Sequence, residues 1–68
     1  MKNWKINLAE FGPIKEDGGR NTLTVETLAS CKKRGTAELI AKYLRTGAYK
    51  NVLETVSENF AYKITVEQ

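Results

Sequence analysis

Hydrophobic residues recur at helical spacing between residues 36 and 46 of the chain. The apolar stripe consists of Ala37, Ile40, Ala41 and Leu44. These positions follow the i, i+3, i+4, i+7 pattern of a helix with one buried face. Thr36 is placed to act as the N-cap, and Gly47 is a common residue at a helix end. The pattern therefore predicts one amphipathic helix over residues 36–46.

After Gly47 the hydrophobic period changes from 3.6 residues to 2. The alternating apolar positions are Phe60, Tyr62, Ile64 and Val66, and such alternation predicts a half-buried strand. Residues 49–56 are rich in β-branched and aromatic side chains, which favour a strand, and residues 57–59 favour a turn. We therefore predict a C-terminal hairpin that pairs Val52 with Ile64, or Leu53 with Ile64 in a second register.

The N-terminal half shows the same period of two. Trp4, Ile6 and Leu8 alternate with polar or small residues and predict a strand over residues 3–10, which Phe11-Gly12-Pro13 should end. Residues 16–21 form a polar, glycine-rich hairpin tip, and residues 22–28 alternate again as a second strand. The predicted fold is α+β in the order ββαββ, with a single helix packed on one face of an antiparallel sheet.

A winged helix-turn-helix is the alternative fold. Val25, Leu28 and Ala29 also fit a helical spacing, so residues 24–34 could form a first helix before the helix at 36–46. The density of threonine and β-branched residues before Leu28 favours a strand instead. The one- or two-residue joint is also shorter than the usual turn of that motif, and no capping box opens the first helix.

Length and cysteine usage set the general class of the protein. The chain has 68 residues, which predicts a single domain over residues 1–68 with a small core. Its one cysteine, Cys31, excludes an intramolecular disulfide and suits a reducing cytoplasm. We expect Cys31 to be a half-buried residue at the strand-to-helix junction. No apolar run approaches the roughly 20 residues that a membrane span requires, so we predict a cytoplasmic protein without a membrane partner.

The residue types present remove most enzyme chemistry. The sequence contains no histidine, which removes the commonest general base and metal ligand. Phosphate-binding fingerprints are absent, since Gly18-Gly19 is a pair in a polar loop. Glu16 and Asp17 are adjacent carboxylates, but a catalytic pair requires a cleft. We therefore predict no catalytic residues, no metal site, no cofactor and no enzyme activity.

Basic residues concentrate in one segment of the chain. Residues 32–50 contain six basic side chains and one acidic side chain, a net charge of +5, while the remaining residues carry a net charge of −2. This segment includes a predicted helix N-terminus, whose free backbone N–H groups favour anions. Leu39 and Tyr43 lie at the margin of the helix as candidates for an exposed apolar contact, and Tyr43 is the candidate anchor. The predicted partner-binding residues are Lys32, Lys33, Arg34, Lys42, Tyr43 and Arg45.

Two kinds of partner fit this distribution of charge. The leading hypothesis is a non-catalytic module that binds a protein with an acidic surface. The alternative is a nucleic-acid-binding module that uses the basic segment 32–50 to contact phosphates. The free edges of a small sheet also favour a homodimer. Phosphate contacts would make binding fall steeply with salt, whereas a protein contact with an apolar anchor would depend on salt less.

The order of elements resembles a group of small phage-encoded inhibitor proteins. The resemblance lies in a first strand with Trp4, a polar hairpin loop, a second strand at 22–28, a helix around Ala37-Glu38-Leu39-Ile40-Ala41, and residues 52–56. The group includes inhibitors of host RNA polymerase and certain anti-CRISPR proteins. The resemblance implies a protein that occupies a surface of a larger enzyme or ribonucleoprotein and performs no chemistry. It transfers no individual functional residue to this chain.

Overall fold

Three antiparallel strands and two helices make up the fold. The structure is a computed structural model and describes residues 3–68. The elements are β1 (Trp4–Ile14), β2 (Arg20–Cys31), α1 (Arg34–Thr46), α2 (Lys50–Glu54) and β3 (Ala61–Glu67). The strands form a sheet in the order β2-β1-β3, and β1 is antiparallel to both neighbours. The predicted α+β class is confirmed, but the order of elements is ββααβ and not ββαββ.

The chain crosses from one edge of the sheet to the other through its helices. β1 and β2 form a hairpin, and β3 returns on the far side of β1, where Leu8 pairs with Ile64. Because both outer strands are antiparallel to β1, they run in the same direction, and strands related in this way need a long crossover connection. The segment that contains α1 and α2 is that connection.

Small side chains bring α1 close to the sheet. Ala37 and Ala41 are fully buried, and they pack against Ile6 of β1 and Ile64 of β3. A helix with alanine at its contact positions can approach a sheet closely, so the core has little room for larger groups. The partly buried residues around this cluster include Trp4, Leu8, Ile40, Leu44, Tyr49, Leu53 and Val66. The predicted apolar stripe of α1 is confirmed as the buried face.

The predicted C-terminal hairpin is wrong. Within residues 49–56 the structure has the short helix α2, and Ile64 pairs with Leu8 and with neither Val52 nor Leu53. Tyr49 and Leu53 are four residues apart, so one turn of helix directs both toward the core. The predicted turn at residues 57–59 does occur: the Ser57 amide donates to the Phe60 carbonyl at 2.9 Å. It joins α2 to β3.

Both N-terminal strands are longer than predicted. β1 continues through Phe11-Gly12-Pro13 to Ile14 because the register of its pairing with β2 shifts there. A proline lacks an N–H group and is tolerated at such an irregularity. β2 continues to Cys31. Residues 24–31 are therefore strand, and the winged helix-turn-helix alternative is wrong.

The start of α1 also differs from the prediction. Lys33 occupies the N-cap position without a side-chain capping bond, and Thr36 lies within the first turn. Gly47 ends the helix as predicted. A Cβ atom at Gly47 would lie 2.8 Å from the Tyr43 carbonyl oxygen, so this close approach requires glycine. Cys31 is half-buried at the end of β2, as predicted.

A side-chain network joins the three strands on the face away from the helices. Asn7 of β1 is 2% exposed, and its amide Nδ2 donates to Glu67 Oε1 of β3 at 2.6 Å. The Thr27 hydroxyl of β2 donates to Asn7 Oδ1 at 2.9 Å. One central side chain therefore links both outer strands.

Candidate partner-binding surface

The outward face of α1 exposes two large apolar side chains. Leu39 is 61% exposed and Tyr43 is 78% exposed. They are four residues apart, so they lie one helical turn from each other. Together with Lys42 and Thr46 they line a shallow groove of about 270 Å³. We call this set of four residues the α1 groove.

The α1 groove follows directly from the helical period. Ala37 and Ala41 fix the buried side of the helix, and residues 39 and 43 lie two positions further along, at about 200° from them. The Thr46 hydroxyl donates to the Lys42 carbonyl at 2.9 Å, so its hydrogen bond is made within the helix. The groove thus combines an aromatic ring, a leucine and one ammonium group.

The basic residues at the start of α1 differ in whether their side chains contact other residues of the chain. Arg34 Nε lies 3.7 Å from Glu38 Oε1, and its guanidinium carbon lies 5.6 Å from the centre of the Trp4 ring. Both contacts draw Arg34 toward its own chain. Lys32 and Lys33 are exposed, and within residues 3–68 neither forms a salt bridge. Their charges remain accessible to a partner.

Arg45 makes a contact with the sheet that the sequence analysis did not predict. Its Nη2 atom donates to the backbone carbonyl of Ile64 at 2.9 Å. Ile64 lies in β3, an outer strand of the sheet. Arg45 therefore contributes a hydrogen bond to the fold at this edge, while the residue itself stays exposed.

The predicted partner-binding residues do not form one continuous patch. From Arg34 to Lys42 the helix rises about 12 Å, at 1.5 Å per residue. Glu38 lies between them at i, i+4 spacing and pairs with Arg34, so the positive potential along this face is interrupted. The structure brings Lys42 and Tyr43 together and separates them from Lys32 and Lys33. Leu39 completes the groove as the apolar neighbour of Tyr43 that the sequence analysis considered, and Thr46 was missed as a site residue.

The site has the chemistry of a contact surface. Among residues 3–68, no three Cys, Asp or Glu side chains lie close enough together to hold a metal ion. In the same part of the chain, no helix is both long enough and apolar enough to cross a membrane. The groups that the α1 groove offers are apolar area, a phenol and an ammonium group, all of which suit non-covalent association.

Comparison with known proteins does not assign the chain to a family. Comparisons with family models, with curated proteins and with solved structures found no match for the chain.

Proposed function

We propose that this chain is a small, non-catalytic protein-binding modulator that docks through the outward face of α1. The observation that carries the proposal is the exposure of Tyr43 and Leu39 side by side in the α1 groove. Exposed aromatic residues are frequent anchors of protein interfaces, and a small domain gains nothing for its own core by exposing them.

Charge supports a partner with an acidic surface. Lys42 lies within the α1 groove, and Lys32 and Lys33 lie near the start of the same helix. An acidic partner would meet an apolar anchor flanked by positive charges, and such complementarity raises the association rate and fixes orientation. The resemblance to phage-encoded inhibitors agrees with a protein that acts by covering a surface of a larger enzyme or ribonucleoprotein.

The direct test compares retention of bacterial proteins on immobilised wild-type chain and on a Leu39→Ala/Tyr43→Ala variant, quantified by mass spectrometry. We expect at least one protein whose retention falls about tenfold or more with the variant, as for loss of an interface anchor. Val56→Ala is the matched control, because Val56 is 60% exposed outside the groove. A set of retained proteins that is identical for wild type and groove variant would contradict the proposal.

A second experiment addresses the inhibitory role. Wild type and groove variant are added to transcription by bacterial RNA polymerase and to DNA cleavage by RNA-guided nucleases. Inhibition by the wild type that the groove variant loses would identify the class of target. Inhibition of neither reaction would reject these two targets and leave the retained protein of the first experiment as the partner to study.

Nucleic acid binding is the second candidate function, and the net charge of +5 on residues 32–50 favours it. Titration of labelled duplex and single-stranded nucleic acid at about 50 and 200 mM salt separates the two, because phosphate contacts lose affinity steeply over this range. Tight binding at low salt that is lost at high salt, and lost in a Lys32→Ala/Lys33→Ala variant, would replace our proposal. Absence of binding at low salt would support a protein partner.

A further inference from the structure

The outer edge of β2 is long and open. β2 has 12 residues, which corresponds to about 40 Å of strand, and its only strand neighbour among residues 3–68 is β1. Residues 21–27 are exposed, because the helices pack over β1, β3 and the far end of β2. An edge of this kind presents backbone groups that can pair with another strand.

The contact between Arg45 and Ile64 reveals which backbone groups of β1 face β2. The Ile64 carbonyl accepts a bond from Arg45 and therefore points away from β1. Backbone groups in an antiparallel pair alternate between the two sides of a strand. Leu8, the partner of Ile64, must then direct its own groups toward β2, where it lies opposite Glu26.

The same alternation assigns the free edge of β2. Since Glu26 directs its N–H and C=O groups toward β1, its neighbours Val25 and Thr27 direct theirs outward. Register shifts leave Leu23 and Leu28 without partners in β1, so the segment between them is the regular part of the ladder. The outward groups of Val25 and Thr27 thus lie at the centre of the open edge.

The side chains of β2 do not protect this edge. Leu23 is 56% exposed and Val25 is 55% exposed. Between residues 21 and 31 the only charged side chain is Glu26, and neither lysine nor proline occurs. Lysine and proline are the residues that commonly prevent an edge strand from pairing.

We infer that β2 pairs in antiparallel orientation with β2 of a second copy of this chain, which joins the two sheets into one of six strands. The interface is a two-fold contact with the same residues on both sides. This inference does not depend on the α1 groove, which lies on a different element. It shares Lys33 with the proposed function, because this residue flanks the groove there and lies near the second copy here.

Charge selects the register of the contact. A two-fold axis at Glu26 would place two carboxylates directly opposite each other, and an axis at Thr27 would place Arg20 opposite Arg34 of the second copy. Like charges in such positions oppose pairing. An axis at Val25 avoids both pairs and places Glu26 opposite Thr24. An axis at Leu23 would avoid them too, but Leu23 lies at a register shift and has no partner in β1. We therefore assign the axis to Val25, which lies within the regular part of the ladder.

The charges near the two ends of β2 favour a second copy of the chain as the partner at this edge. With the axis at Val25, the segment that follows Cys31 lies beside the hairpin turn of the other copy. Lys33 then lies opposite Asp17 and Arg34 opposite Glu16, and both acidic residues are exposed. The two-fold symmetry repeats this contact at the other end of the interface. An unrelated extended peptide would not bring this complementary pair of ends.

Sedimentation equilibrium of the wild-type chain over a concentration series tests the inference. We expect a reversible monomer–dimer equilibrium with a dissociation constant below about 1 mM, a weak but measurable affinity. Val25→Lys should raise this constant at least about tenfold, because it places two ammonium groups at the axis. A monomer at every concentration, or a dimer that Val25→Lys leaves unchanged, would overturn the inference.

Two further variants make the result specific to the edge. Val25→Pro removes an N–H group that points outward, so it spares the pairing with β1 and should weaken the dimer. If the proline variant does not fold, Val25→Lys alone tests the edge. Leu39→Lys is the matched control on the helix surface and should leave the dimer intact. A dimer that dissociates with Leu39→Lys and persists with Val25→Lys would assign the contact to α1 and overturn the inference.

Charge exchange tests the register. Glu16→Lys and Arg34→Glu should each weaken the dimer about threefold to tenfold, as expected for exposed ion pairs that occur twice by symmetry. Asp17 is left unchanged because its carboxylate accepts the Gly19 amide within the turn. The double variant Glu16→Lys/Arg34→Glu restores an opposite-charge pair and should recover most of the lost affinity. Losses that simply add in the double variant would overturn the assigned register.

Discussion

The two edges of the sheet differ in how far the rest of the chain covers them. At β3 the guanidinium of Arg45 donates a hydrogen bond to the Ile64 carbonyl, and α2 packs against the strand. At β2, residues 21–27 are exposed on an edge that the described part of the chain leaves uncovered. An open edge is a risk for aggregation, and natural proteins usually block it. The edge at β3 is thus covered in part by other elements of the chain, whereas the edge at β2 presents unpaired backbone groups.

The difference between the edges follows from the path of α1. The helix starts beside the end of β2 and then runs across the sheet, so that its last turn reaches β3. Arg45 is in that last turn, and its side chain is long enough to reach a carbonyl on the far edge. The exposed half of the β1–β2 hairpin lies outside this path. The covered edge therefore contributes to the core, and the open edge contributes little.

The largest effect should come from truncation in the strand at the covered edge. Ile64 is 1% exposed, and Ile64→Ala should lower the free energy of unfolding by about 2–5 kcal/mol, through lost burial and the cavity left behind. A domain of this size has little stability to spare, so the variant should be largely unfolded at 37 °C, a temperature near typical mesophilic melting onsets. Urea unfolding followed by circular dichroism measures the loss.

Val25→Ala is the matched truncation in the open edge strand. Val25 is more than half exposed, and the variant should cost less than about 1 kcal/mol, mostly through lower strand propensity. The comparison should be made at the lowest usable protein concentration, so that dimerisation does not contribute. Equal losses at Ile64 and Val25 would mean that the open edge is packed as tightly as the covered one, contrary to the structure.

An intermediate effect is expected for the residue that joins both edges to β1. Asn7→Val keeps the shape of a strand residue and removes the bonds to Glu67 and Thr27. Because Glu67 and Thr27 are exposed and regain water, the loss should be about 1–2 kcal/mol. Amide hydrogen exchange should accelerate in β2 and in β3 together.

Thr65→Val is the control for Asn7→Val. Thr65 lies opposite Asn7 in β3, and its hydroxyl forms no side-chain hydrogen bond within residues 3–68, so the variant should change stability by less than about 0.5 kcal/mol. Faster exchange in only one outer strand of the Asn7 variant would show that the network does not couple the edges.

Local patterns predicted the packing of this fold better than its pairing. The stripe of Ala37 and Ala41 and the alternation around Ile64 depend only on the period of each element, so the sequence contained them. The partner of Ile64 did not follow from any local pattern, because Leu8 lies 56 positions away. Residues 50–54 form a helix although their composition favours a strand, because so short a segment fits both periods and tertiary packing decides between them.

In the candidate site, too, the features that depend on the helical period could be predicted, and those that depend on tertiary contacts could not. The helical wheel placed Leu39 and Tyr43 beside the apolar stripe, and the structure shows both side chains to be more than half exposed. The contact between Arg45 and Ile64 depends on how α1 crosses the sheet, so no local pattern in the sequence indicated it. The contact of Arg34 with Trp4 joins residues 30 positions apart and was hidden for the same reason.

The smallest stability effect concerns the covering of the β3 edge. Arg45→Ala removes the donor to the Ile64 carbonyl and should lower the free energy of unfolding by about 1 kcal/mol, since water can replace part of the bond. Its larger consequence should be association. With the Ile64 carbonyl uncovered, both edges of the sheet are open, and a sheet with two open edges can form assemblies beyond a dimer. Sedimentation velocity of the variant at increasing concentration should therefore show species larger than the wild type forms.

Lys42→Ala is the control for this prediction. Lys42 is exposed on the same helix and, within residues 3–68, forms no salt bridge, so the variant should keep the stability within about 0.5 kcal/mol and the association state of the wild type. Larger assemblies with both variants would trace the effect to loss of positive charge. Larger assemblies with Arg45→Ala alone would show that one guanidinium on one carbonyl limits the protein to pairing through β2.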